Sequence, residues 1–374
     1  MADTQTPTTA ATVSVPEKTV APETATETKA VESAGTEDVK KTEEPATAEE
    51  PTKAEETKAE EPAKSESAAK VEAAAEKATE EPAKIAEEKT PSTPFNDFAA
   101  KLPEIIEEID YDEMWGVKLS TSPLESHIPT QIVLQKFLNA NDGDLTKAIE
   151  QFKSALKWRK EKKPLELLEK TFNAKKFADL GLVTWYDVKD SSVPEVFTWN
   201  LYGNVKDKMD EVFVPLEEFL SYRIALQELG IKYLSISTAT APITATSDPY
   251  KMVQVHDYKS VSFFRQNPNV RAASTEVIKQ FALVYPELLK EKFFVNVPAV
   301  MGWVYGVIKL FVAEKTRKKF HPMSNGENLT AEFVSGKEGW DAKKLLPKEY
   351  GGENGSGDGT LKGLEGNVTG LKLE

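Results

Sequence analysis

Cysteine is absent from the 374 residues, and histidine occurs only at His127, His256 and His321. Disulfides, thiolate nucleophiles and iron–sulfur clusters are thereby excluded within this chain, and zinc sites built from Cys and His lack their ligands. Absence of cysteine is compatible with the cytosol. No aromatic residue precedes Phe95. No apolar run approaches the ~20 residues that span a bilayer, so membrane contact is expected to be peripheral. The N-terminus lacks the basic start and apolar segment of a secretory signal, which points to a cytoplasmic protein. Also missing are a Ser-His-Asp nucleophile elbow, a P-loop and a Rossmann glycine fingerprint. The chain is expected not to be an enzyme.

What is present is unevenly distributed. The formal net charge is −14, and residues 1–94 contribute −11 of it with 22 acids against 11 bases. Ala, Glu, Lys, Thr and Pro dominate there, with the loose repeat Glu-Glu-Pro-Ala-Lys at 60–64 and 80–84. Such a segment cannot bury enough apolar area to offset its chain entropy, and 1–94 is expected to be a disordered acidic tail. The remainder is nearly balanced in charge, so neither a nucleic-acid partner nor an obligate protein partner is expected.

From Phe95 the pattern becomes globular. Val133, Phe137 and Leu138 share one helical face, and Leu145, Ile149, Phe152, Leu156 and Trp158 make another. Asn141-Asp142-Gly143-Asp144 separates the two helices, with Asp144 as N-cap. This predicts a helical unit over 95–165. Strands are expected at Leu182–Val188, Val196–Leu201, Met252–Tyr258 and Phe293–Val297. Helices are expected at Leu216–Leu229, Asn269–Val284 and Val300–Val312. Alternation of the later elements implies a parallel βαβ core over 166–352 with right-handed crossovers. Residues 353–374, rich in glycine, read as a flexible tail.

Two stretches invite a functional reading. Val300–Val312 is apolar on nearly all sides and is followed by Lys315, Arg317, Lys318 and Lys319. Such a helix is either buried on both faces as ordinary core or covers a greasy ligand. The basic run suits anionic lipid headgroups, at about 1 kcal/mol per charge, and equally suits a helix C-terminus. In Met252–Tyr258, strand alternation puts Met252, Gln254, His256 and Tyr258 on one face. His256 and Tyr258 then sit at the carboxyl end of a strand, where α/β folds place ligands. The plain alternative is a satisfied polar pair in a core.

The chain resembles the CRAL-TRIO lipid-binding family. Trp158-Arg159-Lys160-Glu161, Tyr285-Pro286-Glu287, Asn296-Val297-Pro298, Thr316-Arg317-Lys318-Lys319 and Leu346-Pro347-Lys348-Glu349-Tyr350-Gly351-Gly352 carry the resemblance in order and spacing. Thr198-Trp199-Asn200-Leu201-Tyr202-Gly203, Val255-His256-Asp257-Tyr258-Lys259 and Gly302-Trp303-Val304-Tyr305 narrow it to fungal phosphatidylinositol transfer proteins, in the branch that also binds haem. In place of an aromatic near the end of the first helix of the N-terminal pair, this chain has Asn139 and Asn141.

The resemblance implies an α/β fold: a helical N-terminal cap, then a mixed, largely parallel sheet with flanking helices around a ligand pocket. It implies phosphatidylinositol as a partner, with Arg159, Glu287 and Lys319 around the headgroup. It implies ferric haem b as cofactor, with Tyr258 as metal ligand and Arg223, His256 and Lys292 completing the site. Phenolate is a hard anionic oxygen suited to ferric iron. The implied roles are phosphoinositide homeostasis and haem or oxidant response, with peripheral association to endoplasmic reticulum or microsomal membrane. The alternatives are a haem carrier or sensor without lipid transfer, and a peroxidase-type haem enzyme. The last would normally use a neutral proximal His and a distal acid–base pair.

Overall fold

The computed structural model describes residues 92–121, 126–244, 247–261, 267–297, 314–333 and 339–374. The acidic stretch up to residue 91 and the apolar segment Val300–Val312 lie outside them. The chain enters at α1 (Pro94–Ile109), whose N-cap Thr93 accepts from the Asn96 amide at 3.2 Å. Phe98, Leu102, Ile105 and Ile109 recur at helical spacing and are buried. A short hairpin of β1 (Glu113–Met114) and β2 (Val117–Lys118) follows. Then come α2 (Ile128–Ala140) and α3 (Leu145–Lys162). Their connection uses positive φ at Asp142 (53°) and Gly143 (82°), and Asp144 caps α3 by accepting from the Lys147 amide at 3.1 Å. Phe137 and Phe98 each meet Phe152 edge-on, at 5.1 and 5.4 Å. Each buried side chain of this size contributes roughly 1.5–3 kcal/mol.

Short helices α4 (Pro164–Glu169) and α5 (Ala174–Phe177) lead to a six-stranded sheet. Its strands are β3 (Gly181–Tyr186), β4 (Glu195–Leu201), β5 (Met252–Asp257), β6 (Leu289–Val295), β7 (Phe320–Pro322) and β8 (Val368–Thr369), in the order β7-β6-β5-β4-β3-β8. β4 to β7 are parallel; β3 is antiparallel to both β4 and β8. The short α6 (Met209–Phe213) and the long α7 (Leu216–Leu234) link β4 to β5, and α8 (Pro268–Val284) links β5 to β6. The mixed, largely parallel sheet with flanking helices is the expected fold class. β6 starts at Leu289, four residues before the expected Phe293. Its charged start, Lys290-Glu291-Lys292, and a register shift opposite Met252 and Gln254 blur the alternation there.

The two faces of the sheet differ in chemistry. Phe197, Trp199, Val253, Val255, Phe293 and Val295 pack on one face with Leu329, Phe333, Leu346 and Tyr350. The Leu346–Gly352 motif buttresses this face. Tyr350 stacks on Trp199 at 4.8 Å and donates to Asp257 at 2.7 Å. Gly351 has φ 85°, and a Cβ on Gly352 would stand 1.8 Å from the Leu346 carbonyl oxygen, so both positions require glycine. The opposite face, under α7, carries a row of polar side chains.

The expected flexible tail is corrected by the fold. Val368–Thr369 adds to the edge of β3, and the Phe172 and Glu374 amides exchange hydrogen bonds with the carbonyls of Lys372 and Phe172. Glycine content suggested looseness, but an open edge strand supplies unpaired backbone groups that this segment satisfies.

Candidate functional site

Alternation in β4, β5 and β6 directs Asn200, Gln254, His256, Lys292 and Phe294 to the α7 side. The register pairs Asn200 with His256, His256 with Phe294, and Gln254 with Lys292. From α7, Arg223 and Gln227 lie one turn apart and reach the same row. Gln254 donates to Gln227 at 3.0 Å, and Arg223 Nη1 donates to the Asn200 side-chain oxygen. Asn200 in turn donates to the Val255 carbonyl at 3.3 Å. Tyr258, one residue past β5, stacks on Tyr202 at 5.4 Å, and Tyr202 meets His256 edge-on at 5.6 Å. The structure thus gathers all four residues expected at the haem site, Arg223, His256, Tyr258 and Lys292, on one face at the carboxyl end of β5.

The electrostatics of this row are unusual. Arg223 and His256 are buried, and the Arg223 Nε and His256 Nε2 atoms have no hydrogen-bond partner among the described residues. Lys292, half-buried, makes no ion pair among them; its ammonium lies over the rings of Phe294 and Phe320 at 5.4 and 5.7 Å. Arg223 likewise faces Phe281 of α8 at 5.9 Å. Burial, with Arg223 nearby, lowers the Lys292 ammonium to about 7. Burial and then the two cations hold His256 well below its usual range, so its imidazole is neutral. Burial and Tyr202 push the Tyr258 phenol up, with Arg223 opposing.

Elsewhere in the same fold, buried cations are neutralised. Lys136 of α2 is fully buried and contacts Asp248 at 2.7 Å. Arg159 of α3 is fully buried between Glu113 and Glu228, at 2.8 and 2.5 Å, and Tyr285 donates to Glu228 at 2.7 Å. This ties α3, β1, α7 and the end of α8 together. Arg159 is therefore engaged in a buried ion-pair network, and among the described residues no contact joins it to Glu287 or Lys319, the other two residues expected at a headgroup.

Glu287 and Lys319 do meet, at 3.7 Å. Glu287, with φ 55°, also contacts Lys315 at 3.1 Å and Lys251 at 3.3 Å. Burial raises its carboxyl, but Lys319, Lys315 and Lys251 outweigh this and hold it at about 2. Lys319 donates to the Leu289 carbonyl at 2.8 Å, and Lys315 to the Asn139 carbonyl at 3.0 Å. Asn139 and Asn141, the departure from the family's pattern, accept from Gln135 and donate to Gln151 respectively, so they serve the α2–α3 corner. Sequence reasoning missed Lys251, Asn200, Tyr202 and Gln227. The spacing of Arg223 and Gln227, one turn apart on the same face of α7, was the available signal for Gln227.

Among the described residues no helix is long and apolar enough to cross a membrane. Comparison with known proteins places the geometry in a family. The model of the CRAL/TRIO domain matches residues 186–352, and that of the CRAL/TRIO N-terminal domain matches 94–154. Phosphatidylinositol transfer protein SFH5 of Pyricularia oryzae is 55% identical over 263 residues, which is 68% of this chain and 63% of that protein. The SFH5 of Chaetomium globosum is 57% identical over 246 residues, 65% and 56% of the two chains. That of Neurospora crassa is 53% identical over 247 residues, 64% and 67%. The alignment thus spans less than two thirds of the length of the first two relatives. The crystal structure of Sfh5 superposes with a TM-score of 0.59 at 33% identity, covering 70% of this chain and 86% of that one. With both halves of its folded region matched and its sheet topology in hand, this chain belongs to the CRAL-TRIO family, among the homologues of the SFH5 phosphatidylinositol transfer proteins.

Proposed function

We propose that this chain binds and transfers phosphatidylinositol and also holds ferric haem b, with Tyr258 as iron ligand. Lipid transfer is supported by the names of its relatives and by a cation-rich cluster, Lys251, Lys315 and Lys319 around Glu287. Lysines suit a phosphate, and Glu287 accepts from an inositol hydroxyl or orients those cations. The function is exchange through a pocket, with no catalytic step, by a protein that meets endoplasmic reticulum membranes peripherally. A role in phosphoinositide homeostasis and in haem or oxidant response follows from holding both ligands.

The observation that carries the haem reading is the cationic row: Arg223 and Lys292 have no carboxylate partner among the described residues, and they lie beside Tyr258 and His256, whose Nε2 has no hydrogen-bond partner there. Leaving such cations unpaired in the interior costs several kcal/mol. A ligand with acidic groups and an apolar body relieves that cost, and Phe281, Phe294 and Phe320 supply the apolar contact. These residues fit haem. Arg223 and Lys292 would pair with its propionates, Tyr258 would ligate the iron, and the neutral His256 would donate to the phenolate or lie against the ring. Haem would supply a ferric centre whose tyrosinate ligation favours the oxidised state. Tyr258 must give up its phenol proton to serve, and Arg223 is the group that favours the phenolate.

The test is the visible absorption spectrum of the purified full chain, as isolated and after titration with hemin. A Soret band that saturates at one haem per chain and changes on Tyr258→Phe supports the assignment. An unchanged spectrum in Tyr258→Phe removes Tyr258 as ligand. A chain that takes up no hemin leaves lipid transfer alone, measured as movement of labelled phosphatidylinositol between vesicles; absence of that movement overturns the transfer reading.

A further inference from the structure

Two buried arginines in this fold are handled in opposite ways. Arg159 lies between two glutamates, whereas Arg223 has one polar partner among the described residues, the amide of Asn200. Asn200 is 1% exposed, and both ends of its amide are engaged: Nδ2 on the Val255 carbonyl and Oδ1 on the guanidinium. An aspartate is isosteric and would form the usual internal pair with Arg223. Asparagine at this position gives the same hydrogen bond without the neutralising charge. The other neighbours of the row follow suit: Gln227 and Gln254 bond to each other, and Lys292 meets aromatic rings.

We propose that Asn200 is a positioning and charge-selecting residue: it holds the Arg223 guanidinium in place through a neutral amide, so that the cation is left for a carboxylate of the bound ligand. The site then favours a ligand that brings acidic groups over a neutral molecule of the same shape. The identity of the ligand rests on the haem reading above; the role of Asn200 in leaving Arg223 uncompensated does not.

The experiment compares wild type, Asn200→Asp and Asn200→Ser, titrated with hemin and with its dimethyl ester, whose propionates are uncharged. Thermal melting of each ligand-free chain accompanies the titrations. Wild type is expected to prefer hemin to the ester. Asn200→Asp should lose about 10–100-fold in hemin affinity, the scale of one charge-assisted hydrogen bond. It should change little toward the ester and melt above Asn200→Ser, because both variants lose the Nδ2 donor to the Val255 carbonyl and only the aspartate gains a charged pair with Arg223. Asn200→Ser, which releases the guanidinium without neutralising it, should lose several-fold toward hemin only. Equal affinity of wild type and Asn200→Asp for hemin overturns the proposal, as does an equal loss toward both porphyrins. Uptake of neither porphyrin by wild type sinks the haem reading. Melting then decides the role of Asn200: a higher midpoint in Asn200→Asp than in Asn200→Ser upholds it, and an equal or lower one overturns it.

Discussion

The amide of Lys292 donates to the carbonyl of Lys319 at 2.8 Å across the β6–β7 ladder. Their ammonium groups serve different clusters. Lys292 faces the cationic row under α7, while Lys319 turns toward Glu287. The candidate haem site and the candidate headgroup site thus share one pair of strands, and each is held by residues that the other positions through the backbone.

Anion binding should depend on pH through Lys292. Its ammonium is charged below about 7 and neutral above. Affinity for an iron-free acidic porphyrin, which needs no phenolate from Tyr258, should be greatest below pH 7 and fall as pH rises above it, by at most about tenfold per unit. Wild type should show this slope between pH 6 and 9 (roughly the range flanking the shift), and Lys292→Met should not. His256, already neutral, adds nothing near neutrality. In the ligand-free chain the sign reverses. The unfolded chain binds this proton more tightly, so Lys292 makes stability rise with pH above about 7.

Glu287 should contribute to acid sensitivity. Its carboxyl is lowered from 4.5 to about 2, so the stability it adds is present above pH 4.5 and is lost as pH falls toward 2. Screening at a partly accessible site limits this to about 1–2 kcal/mol. Chemical denaturation of Glu287→Gln against wild type at neutral and acid pH measures it; the two should converge in acid. Parallel curves would mean that the three lysines do not stabilise the carboxylate.

Arg159→Met should destabilise by about 3–5 kcal/mol, because Glu113 and Glu228 lose their shared cation. Urea denaturation reads the loss directly. Lipid transfer by the variant, normalised to the folded fraction, should stay near wild type; a much larger fall would return Arg159 to the headgroup.

Deleting residues 366–374 should cost about 2–4 kcal/mol. It removes β8 and the backbone bonds that Lys372 and Glu374 make to Phe172 and Ala174. Hemin and lipid binding by the folded fraction should be unaffected, since this edge lies away from β5 and β6. An unchanged denaturation midpoint would show that the edge pairing contributes nothing.

Local rules were legible in the linear chain. The alternation of Met252–Tyr258 put His256 and Tyr258 on one face, because a strand has only two faces. Asp142-Gly143-Asp144 announced its turn and cap, because positive φ and capping depend on nearest neighbours. The motifs around Trp199, His256 and Tyr350 carried the family. Tertiary structure alone decided which charges are neutralised. Arg159 and Arg223 are alike as letters, and Glu113, Glu228 and Asn200 reach them only when β1, α3, α7 and the sheet are brought together. It also decided that the glycine-rich C-terminus closes a sheet edge, because composition reports the freedom of a segment and not the unpaired strand waiting for it. Charge compensation and edge pairing act between residues distant in sequence, so no local pattern specifies them.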